Sequence, residues 1–312
     1  MQITDVLALV GGLSCAAIGG ELFVRGAVGL AAWARVPARV VATTVAAFAT
    51  SSPEFAVSTS AAIAGKPAIG FGDALGSNVT NIGLVLGVAL LLLDLGVERN
   101  ESRLDVTVAT ISPVLTLALA LDGTVSRIDG GILLVVFSAW ILQTVRTARR
   151  ERQGSARAEA DVARRSPRPW VLAAAGLGAL VVAGRLVADG ARAAGVGLGL
   201  DEFVVGATLV AIGTSLPELA TTLSATRHGH HEVGLGTILG SNIFNGLWIV
   251  GIAACIAPIT VAASEVAVGL GFGIVTIAAL FPGRRQRLRR RRGFVLLGLY
   301  GAYLATLLAL GP

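Results

Sequence analysis

Residues 50–54 read TSSPE and lie inside an apolar run, 38–64, that is long enough to cross a membrane. A charge at the centre of a bilayer costs about 2.5 to 3.5 kcal/mol on insertion scales, so Glu54 is a candidate functional residue. The pattern recurs as GTSLPE at 213–218, where it places a second acid, Glu218, in another apolar run. Two acids in two copies of one motif indicate a duplicated site within the membrane.

The composition is that of a polytopic membrane protein. The chain is 54% hydrophobic and only 14% charged, whereas about a quarter of a soluble domain is charged. The net charge of +6 comes from Arg residues that cluster in short loops between apolar runs, which indicates membrane topology and not nucleic-acid binding. Cys15 and Cys255 lie in apolar runs, so we expect core side chains and not a disulfide or a metal site.

Spanning-length apolar runs predict an all-α membrane protein of about ten transmembrane helices. The runs lie at 4–33, 38–64, 68–95, 104–121, 128–145, 170–194, 202–227, 233–257, 261–281 and 293–311. The Arg-rich segment 146–168 is the predicted linker between two halves, 1–145 and 169–312, of five helices each. Because five is odd, the second half enters the membrane from the opposite side, which makes an inverted repeat.

The internal repeat is visible without a gap. An offset of 164 residues, 218 less 54, aligns the two acidic motifs and also aligns the glycines at 70, 72 and 76 with those at 234, 236 and 240. Such a register over nearly forty positions is not expected by chance. Transporters with inverted repeats bind their substrates near the membrane midplane.

The loops predict the orientation. Arg-rich segments follow the first, fifth and ninth helices, and in a ten-helix chain these loops share one side. The positive-inside rule makes that side cytoplasmic and places both termini on the outer side of the membrane. We therefore expect a multi-pass protein of the plasma (inner) membrane.

The residue types around the two acids predict a site for a hard cation. Thr50 and Glu54 are four positions apart and Ser51 and Glu54 three, so their oxygens lie near one helix face. Each proline of the motifs opens its helix turn and frees a carbonyl, that of Ala49 or Gly213. Hydroxyl, amide and carboxylate oxygens, without thiolate or imidazole, suit Ca²⁺ or Na⁺. The remaining candidates are Ser77 and Asn81 in the third helix, and the repeat copies Thr214, Ser215, Glu218, Ser241 and Asn245.

Two carboxylates balance the charge of one divalent ion, and without it they repel each other, so another cation should replace it. This competition is the physical basis of exchange. A third acid, Asp73, has Thr237 as its repeat partner, so symmetry predicts a place outside the site, facing a water-filled vestibule. Asn78 and Asn242 are expected to hold helices together.

At these motifs the chain resembles the cation/calcium antiporter superfamily, and most closely its prokaryotic sodium/calcium exchangers. The resemblance rests on ATSSPE at 49–54 with GSNVTN at 76–81, and on GTSLPEL at 213–219 with GSNIFN at 240–245. It implies an inverted repeat of ten helices and a site between the second, third, seventh and eighth. The implied ligands are Thr50, Ser51, Glu54, Ser77, Asn81, Thr214, Ser215, Glu218 and Ser241, with the backbone carbonyls of Ala47 and Ala211.

One position departs from the family. Sodium/calcium exchangers often carry Asp where this chain has Asn245, and an amide bears no charge at neutral pH. The sequence therefore leaves open whether Na⁺ or H⁺ drives transport.

We predict an antiporter that exchanges Na⁺ for Ca²⁺ by alternating access, as a monomer in the lipid bilayer, without a cofactor or a nucleic-acid partner. The resemblance implies that the first helices of each half, with the local pairs Glu21–Arg25 and Arg185–Asp189, slide over the other helices. Three alternatives remain: an exchanger of H⁺ or other cations, a cation channel, and an intramembrane hydrolase. The hydrolase would lack a His or Lys base within its spans. The cluster His228, His230 and His231 is expected in a solvated loop.

Overall fold

The computed structural model describes residues 3–93, 95–96, 103–152, 167–197, 202–260, 262–280, 287–288 and 290–310. These residues form ten helical segments, as the apolar runs predict. The first half contains α1 (Ile3–Ala34), α2 (Ala38–Thr50 and Ser52–Ile63), α3 (Pro67–Leu92), α4 (Arg103–Leu119) and α5 (Arg127–Arg152). The second contains α6 (Arg168–Gly197), α7 (202–214 and 216–227), α8 (His231–Ile256), α9 (Ala263–Leu280) and α10 (Arg290–Leu310).

The described helices are suited to a membrane by length and composition. Six of them are long and apolar enough to cross it, and the two parts of α2 make a seventh span. The predicted bounds hold to within a few residues except at α5, which continues to Arg152 beyond the predicted end at 145. Arg is a good helix former, so the helix continues past the end of the apolar run into the first residues of the Arg-rich segment. Most of the predicted linker, 153–166, lies outside the described residues.

Both acidic motifs break their helices. The two parts of α2 meet at 45°. At the break, Ser51 has φ −81° and ψ 10°, and in α7 its copy Ser215 has φ −81° and ψ 4°. Pro53 and Pro217 stand in the first turn of the helices that follow, where a missing N–H leaves no hydrogen bond unmade. The breaks place the hydroxyl and carboxylate groups of each motif beside a helix start.

Four π-helical segments lie in the motif helices and in the helices that follow them. They lie at Ala42–Ala46 in α2, Asn81–Leu86 in α3, Gly206–Val210 in α7 and Phe244–Ile249 in α8. The offset of 164 relates the first to the third and, within one residue, the second to the fourth. Such bulges are rare and occur frequently at functional sites.

Two short ladders connect the halves. Strand β1 (Leu95–Gly96) pairs antiparallel with β4 (Arg287–Leu288), and β2 (Thr124–Val125) pairs antiparallel with β3 (Ile259–Thr260). The repeat offset carries β1 onto β3 and, within one residue, β2 onto β4. The two ladders are therefore the same contact made once from each half, as an approximate two-fold axis requires.

The core is built around α3, α7 and α8. In the apolar windows of α3 and α8, 78% and 83% of the positions are buried, against 28% in α5 and in α10. A Cβ at Gly76 of α3 would overlap the backbone of Ala207 in α7, and one at Gly240 of α8 would overlap that of Thr43 in α2. These equivalent contacts bring the four helices of the acidic motifs and their partners together.

Candidate cation-binding site

The twelve predicted site residues all lie in the protein interior. Each is at most 2% exposed, on the four helices α2, α3, α7 and α8. The offset of 164 relates six of them to the other six. They are Ala47, Thr50, Ser51, Glu54, Ser77, Asn81, Ala211, Thr214, Ser215, Glu218, Ser241 and Asn245.

Two pairs of hydroxyl groups link the repeats. The Oγ1 atom of Thr50 lies 3.3 Å from Oγ of Ser241, and Oγ1 of Thr214 lies 3.2 Å from Oγ of Ser77. Each pair joins the break of one motif helix to the α3-type helix of the other half. The two halves thus contribute equivalent oxygens to one buried region.

The two acids differ in their surroundings. Glu218 Oε1 accepts hydrogen bonds from Oγ of Ser241 at 2.9 Å and from Oγ of Ser51 at 3.4 Å. Among the described residues, neither carboxylate oxygen of Glu54 accepts a hydrogen bond, and the Oγ atom of Ser215 makes none either. A buried carboxylate without partners is costly, so the charge of Glu54 has to be neutralised by a proton or by a bound cation.

Nothing in the described part of the chain neutralises these acids. No Arg or Lys there forms an ion pair with Glu54 or Glu218, although the two carboxylates are close enough to interact electrostatically. Within the described residues, neither acid is therefore part of a structural ion pair with Arg. A proton or a bound cation therefore remains as the source of neutralising charge.

Asp73 is the residue that sequence symmetry misplaced. The prediction that it faces a water-filled vestibule is wrong, because Asp73 is completely buried in α3. Its Oδ1 atom accepts hydrogen bonds from Oγ1 of Thr214 at 3.0 Å and from Oγ of Ser77 at 3.5 Å. The signal was local: Asp73 and Ser77 are four residues apart and therefore share a helix face.

The asparagines divide into two groups. Asn78 and Asn242 each donate from Nδ2 to the other's backbone carbonyl, at 3.2 and 3.1 Å, and so hold α3 to α8 as predicted. Asn81 donates to Oδ1 of Asn242 at 3.1 Å, while its own Oδ1 is left without a donor in the described structure. Asn245 is buried and neither end of its amide has a hydrogen-bond partner among those residues.

The carbonyls of Ala47 and Ala211 also point to the hydroxyl groups of the site. Ala47 O accepts the N–H of Ser51 at 2.9 Å and lies 3.3 Å from Oγ1 of Thr50. Ala211 O has the equivalent contacts, at 3.1 Å to the N–H of Ser215 and 3.4 Å to Oγ1 of Thr214. Each carbonyl therefore adjoins the predicted ligands at its helix break.

A second polar cluster lies outside the site. Glu21 of α1 forms the predicted pair with Arg25 at 2.6 Å, and it also accepts a hydrogen bond from Ser224 of α7 at 2.8 Å. His228 follows α7 and places Nε2 3.3 Å from the Glu21 carboxylate. The predicted solvated loop therefore also joins α7 to α1. The side chains of the Arg185–Asp189 pair lie outside the described residues.

Comparisons with known proteins agree with this geometry. The family described as sodium/calcium exchanger protein matches residues 4–145 and again 168–309, once in each half. The chain belongs to the sodium/calcium exchanger family. It is a multi-pass membrane antiporter of the cation/calcium type and not an enzyme, which removes the hydrolase alternative.

Members from bacteria and archaea are similar over most of the chain. The inner membrane protein YrbG of Escherichia coli is 35% identical over 72% of this chain and 71% of its own length. The sodium/calcium exchanger MaX1 of Methanosarcina acetivorans is 27% identical over 98% of this chain and 99% of its own. A solved structure of the sodium-calcium exchanger NCX_Mj, soaked with Na⁺ and Ca²⁺, is 30% identical with a TM-score of 0.79, covering 98% of this chain and 99% of that one. The predicted exchanger fold of two inverted five-helix repeats is thereby confirmed.

Proposed function

We propose that this antiporter moves Na⁺ inward and Ca²⁺ outward across the plasma membrane through one buried site shared by the two repeats. The observation that carries the proposal is Glu54, whose completely buried carboxylate has no hydrogen-bond partner in the described structure and is close enough to Glu218 for their charges to interact. Two carboxylates balance one Ca²⁺, and oxygen ligands suit Na⁺ equally well. The names of MaX1 and of NCX_Mj, both sodium/calcium exchangers, support the same ion pair.

The proposed ligands are the twelve site residues, with the carboxylates as the groups shared by both ions. Neutral oxygens come from the hydroxyl groups of Thr50, Ser51, Ser77, Thr214, Ser215 and Ser241. The set is completed by the amides of Asn81 and Asn245 and by the carbonyls of Ala47 and Ala211. Since one chain provides equivalent groups from both halves, the proposed transport unit is a monomer. We further propose the repeat bounds 1–145 and 169–312, the Arg-rich segment 146–168 as a cytoplasmic linker, and both termini outside.

Alternating access follows from the approximate two-fold axis. Helices α1 and α6 pack on each other through small residues: a Cβ at Gly176 would overlap the backbone of Phe23, and one at Gly26 that of Ala173. This close contact fits a movement of α1 and α6 as one unit over the other eight helices. The site is then exposed to one side of the membrane at a time.

Ion flux in proteoliposomes tests the proposal. Uptake of radiolabelled Ca²⁺ should follow an outwardly directed Na⁺ gradient at fixed pH and should be lost in Glu54→Gln, since a neutral amide cannot balance a divalent ion. Uptake that ignores Na⁺ but follows a pH gradient would replace Na⁺ by H⁺ as the driving ion. Asn245→Asp serves as the companion variant, because it adds the carboxylate whose absence leaves the driving ion open.

A further inference from the structure

A further buried acid, Asp105, does not belong to the cation-binding site. It is the third residue of α4 and is 6% exposed. Trp140 of α5, which is itself buried, donates its indole N–H to Oδ1 of Asp105 at 3.0 Å. Arg39, in the first turn of α2, is close enough to this carboxylate for their charges to attract. Because a buried carboxylate needs such partners, this acid links α2, α4 and α5 at one point.

At the equivalent positions the second half is apolar. The offset of 164 carries the three residues onto Gly269, Phe203 and Leu304. A Cβ at Gly269 of α9 would lie 3.6 Å from Cζ of Phe203 in α7, so α7 and α9 meet here as α2 and α4 do in the first half. The ring of Phe203 also packs against that of Phe71, with centroids 6.3 Å apart. Such apolar contacts are non-directional, whereas a hydrogen bond fixes an orientation.

Arg39 stands at the far end of a helix half that carries two proposed ligands. This half, Ala38–Thr50, begins in the turn of Arg39, ends at the break of α2, and contains Ala47 and Thr50. The distance from Arg39 to Thr50 is about 16 Å along a helix, at 1.5 Å per residue. The direction of this half relative to the second part of α2 therefore depends on where Arg39 is held.

The same helix half has a second support, which comes from α1. Ala27 and Ala31 of α1 pack with Val41 of α2 in one apolar cluster. If α1 slides as proposed to open the site to the cytoplasm, we expect these contacts to be lost. Asp105 lies on one of the eight helices that do not slide, so its link to Arg39 remains in that state.

We propose that Asp105 is a positioning residue: through Arg39 it holds the cytoplasmic half of α2, and so keeps Ala47 and Thr50 in place for an ion that enters from the cytoplasm. The inference rests on the proposed function, which supplies the ligands and the orientation. Its effect is confined to one face of the membrane, because α1 supports the same helix half while the site is closed to the cytoplasm.

Uptake of ⁴⁵Ca²⁺ into Na⁺-loaded membrane vesicles tests this role, because inside-out vesicles present the cytoplasmic face to Ca²⁺ and right-side-out vesicles the outer face. Asp105→Asn should raise the KM for Ca²⁺ roughly threefold to tenfold in inside-out vesicles, as residues remote from a ligand can do. The KM in right-side-out vesicles and the maximum rate per chain should not change. Asp129→Asn is the matched control: this acid of α5 accepts the N–H of Ser126 at 2.8 Å, and its loss should leave both KM values unchanged.

Arg39→Gln separates positioning from a direct effect of charge. If Asp105 acted only by attracting cations, removal of the positive charge of Arg39 would lower the KM at the cytoplasmic face. Positioning predicts that Arg39→Gln raises this KM as Asp105→Asn does. The double variant should then be no worse than either single one, because the two residues act as a unit. If Asp105→Asn does not fold, Arg39→Gln decides alone, since Arg39 is only half-buried.

Three outcomes overturn the positioning role: a KM at the cytoplasmic face that does not rise in the variants, an equal rise at both faces, or effects that add in the double variant. The same data separate this inference from the proposed function. A wild type without Na⁺-driven Ca²⁺ uptake at either face refutes the proposed exchange. A wild type that exchanges the two ions, together with variants that are indistinguishable from it, refutes only the role of Asp105.

Discussion

At the scale of single residues, the two acids of the site differ in the hydrogen bonds that they accept. Glu218 accepts hydrogen bonds from two hydroxyl groups, whereas Glu54 accepts none from the described residues. The two acids have the same position in the repeat and the same burial. Ser77, the equivalent of Ser241, donates to Asp73 instead, and the Oγ atom of Ser215, the equivalent of Ser51, makes no hydrogen bond among the described residues.

Ser241→Ala should weaken Ca²⁺ binding. The substitution removes both a proposed ligand and the 2.9 Å donor to Glu218, and a hydrogen bond to a charged group contributes about 1.5 to 3 kcal/mol. The apparent Ca²⁺ affinity, measured by calcium-dependent transport or binding, should therefore fall roughly tenfold to a hundredfold.

Ser58→Ala is the control for this prediction. Ser58 is equally buried but donates to Gly70 O at 2.8 Å, between α2 and α3 and outside the set of proposed ligands. Its loss should lower the stability by about 1 kcal/mol and leave Ca²⁺ affinity unchanged. Equal Ca²⁺ affinities in the two variants would contradict the role assigned to Ser241.

At the scale of helices, close crossings set the width of the site. The crossing of α3 on α7 and that of α8 on α2 both depend on a glycine at the contact, Gly76 and Gly240, because an added Cβ would overlap backbone and not a movable side chain. The breaks at Ser51 and Ser215 then turn the acids toward the gap between these crossings. Separating the helices by a methyl group would therefore disturb every ligand distance at once.

Gly240→Ala tests this dependence. Overpacking a well-packed interior costs about 1 to 3 kcal/mol, so the melting temperature in detergent should drop and ion binding should weaken with it. Gly131→Ala in α5 is the matched control, because a Cβ there meets nothing within 4 Å and alanine favours the helix by up to about 1 kcal/mol. Melting temperatures that are the same in the two variants would show that the crossing tolerates a wider gap.

At the scale of the whole molecule, the two halves are interlocked and not merely adjacent. The ladders β1–β4 and β2–β3 join opposite halves, and α1 of the first half packs on α6 of the second. The hydrogen bond from Ser224 of α7 to Glu21 of α1 ties the pair α1–α6 to the core. If α1 slides as proposed, we expect this bond to form in one state of the transport cycle and to break in the other.

Cysteine labelling tests the predicted orientation in the membrane. In a Cys15→Ala/Cys255→Ala background, Asp122→Cys on the loop between α4 and α5 should react with a membrane-impermeant maleimide added to whole cells. Arg149→Cys, near the end of α5, should react only after the cells are permeabilised, because the positive-inside rule places it in the cytoplasm. Both original side chains are exposed. The reverse pattern of labelling would invert the topology.

Much of the site was predictable because it is local and duplicated. Motif residues three and four positions apart share a helix face, and the repeat offset selects the same positions twice, so Glu54 and Glu218 stand out without coordinates. Asp73 escaped because the argument from symmetry was applied to a position where the two halves differ. The extension of α5 to Arg152 escaped because an apolar run marks the membrane and not the helix.

The amino-acid sequence by itself determined that this is a ten-helix inverted repeat with two buried acids, since hydropathy, an odd number of spans per half and a constant offset need no knowledge of packing. Only the tertiary structure decided which carboxylate accepts a hydrogen bond from each hydroxyl group. That choice depends on distances of about 3 Å between α3, α7 and α8, and these distances are set by glycine contacts between residues far apart in the chain. Spacing along one helix carries no information about them.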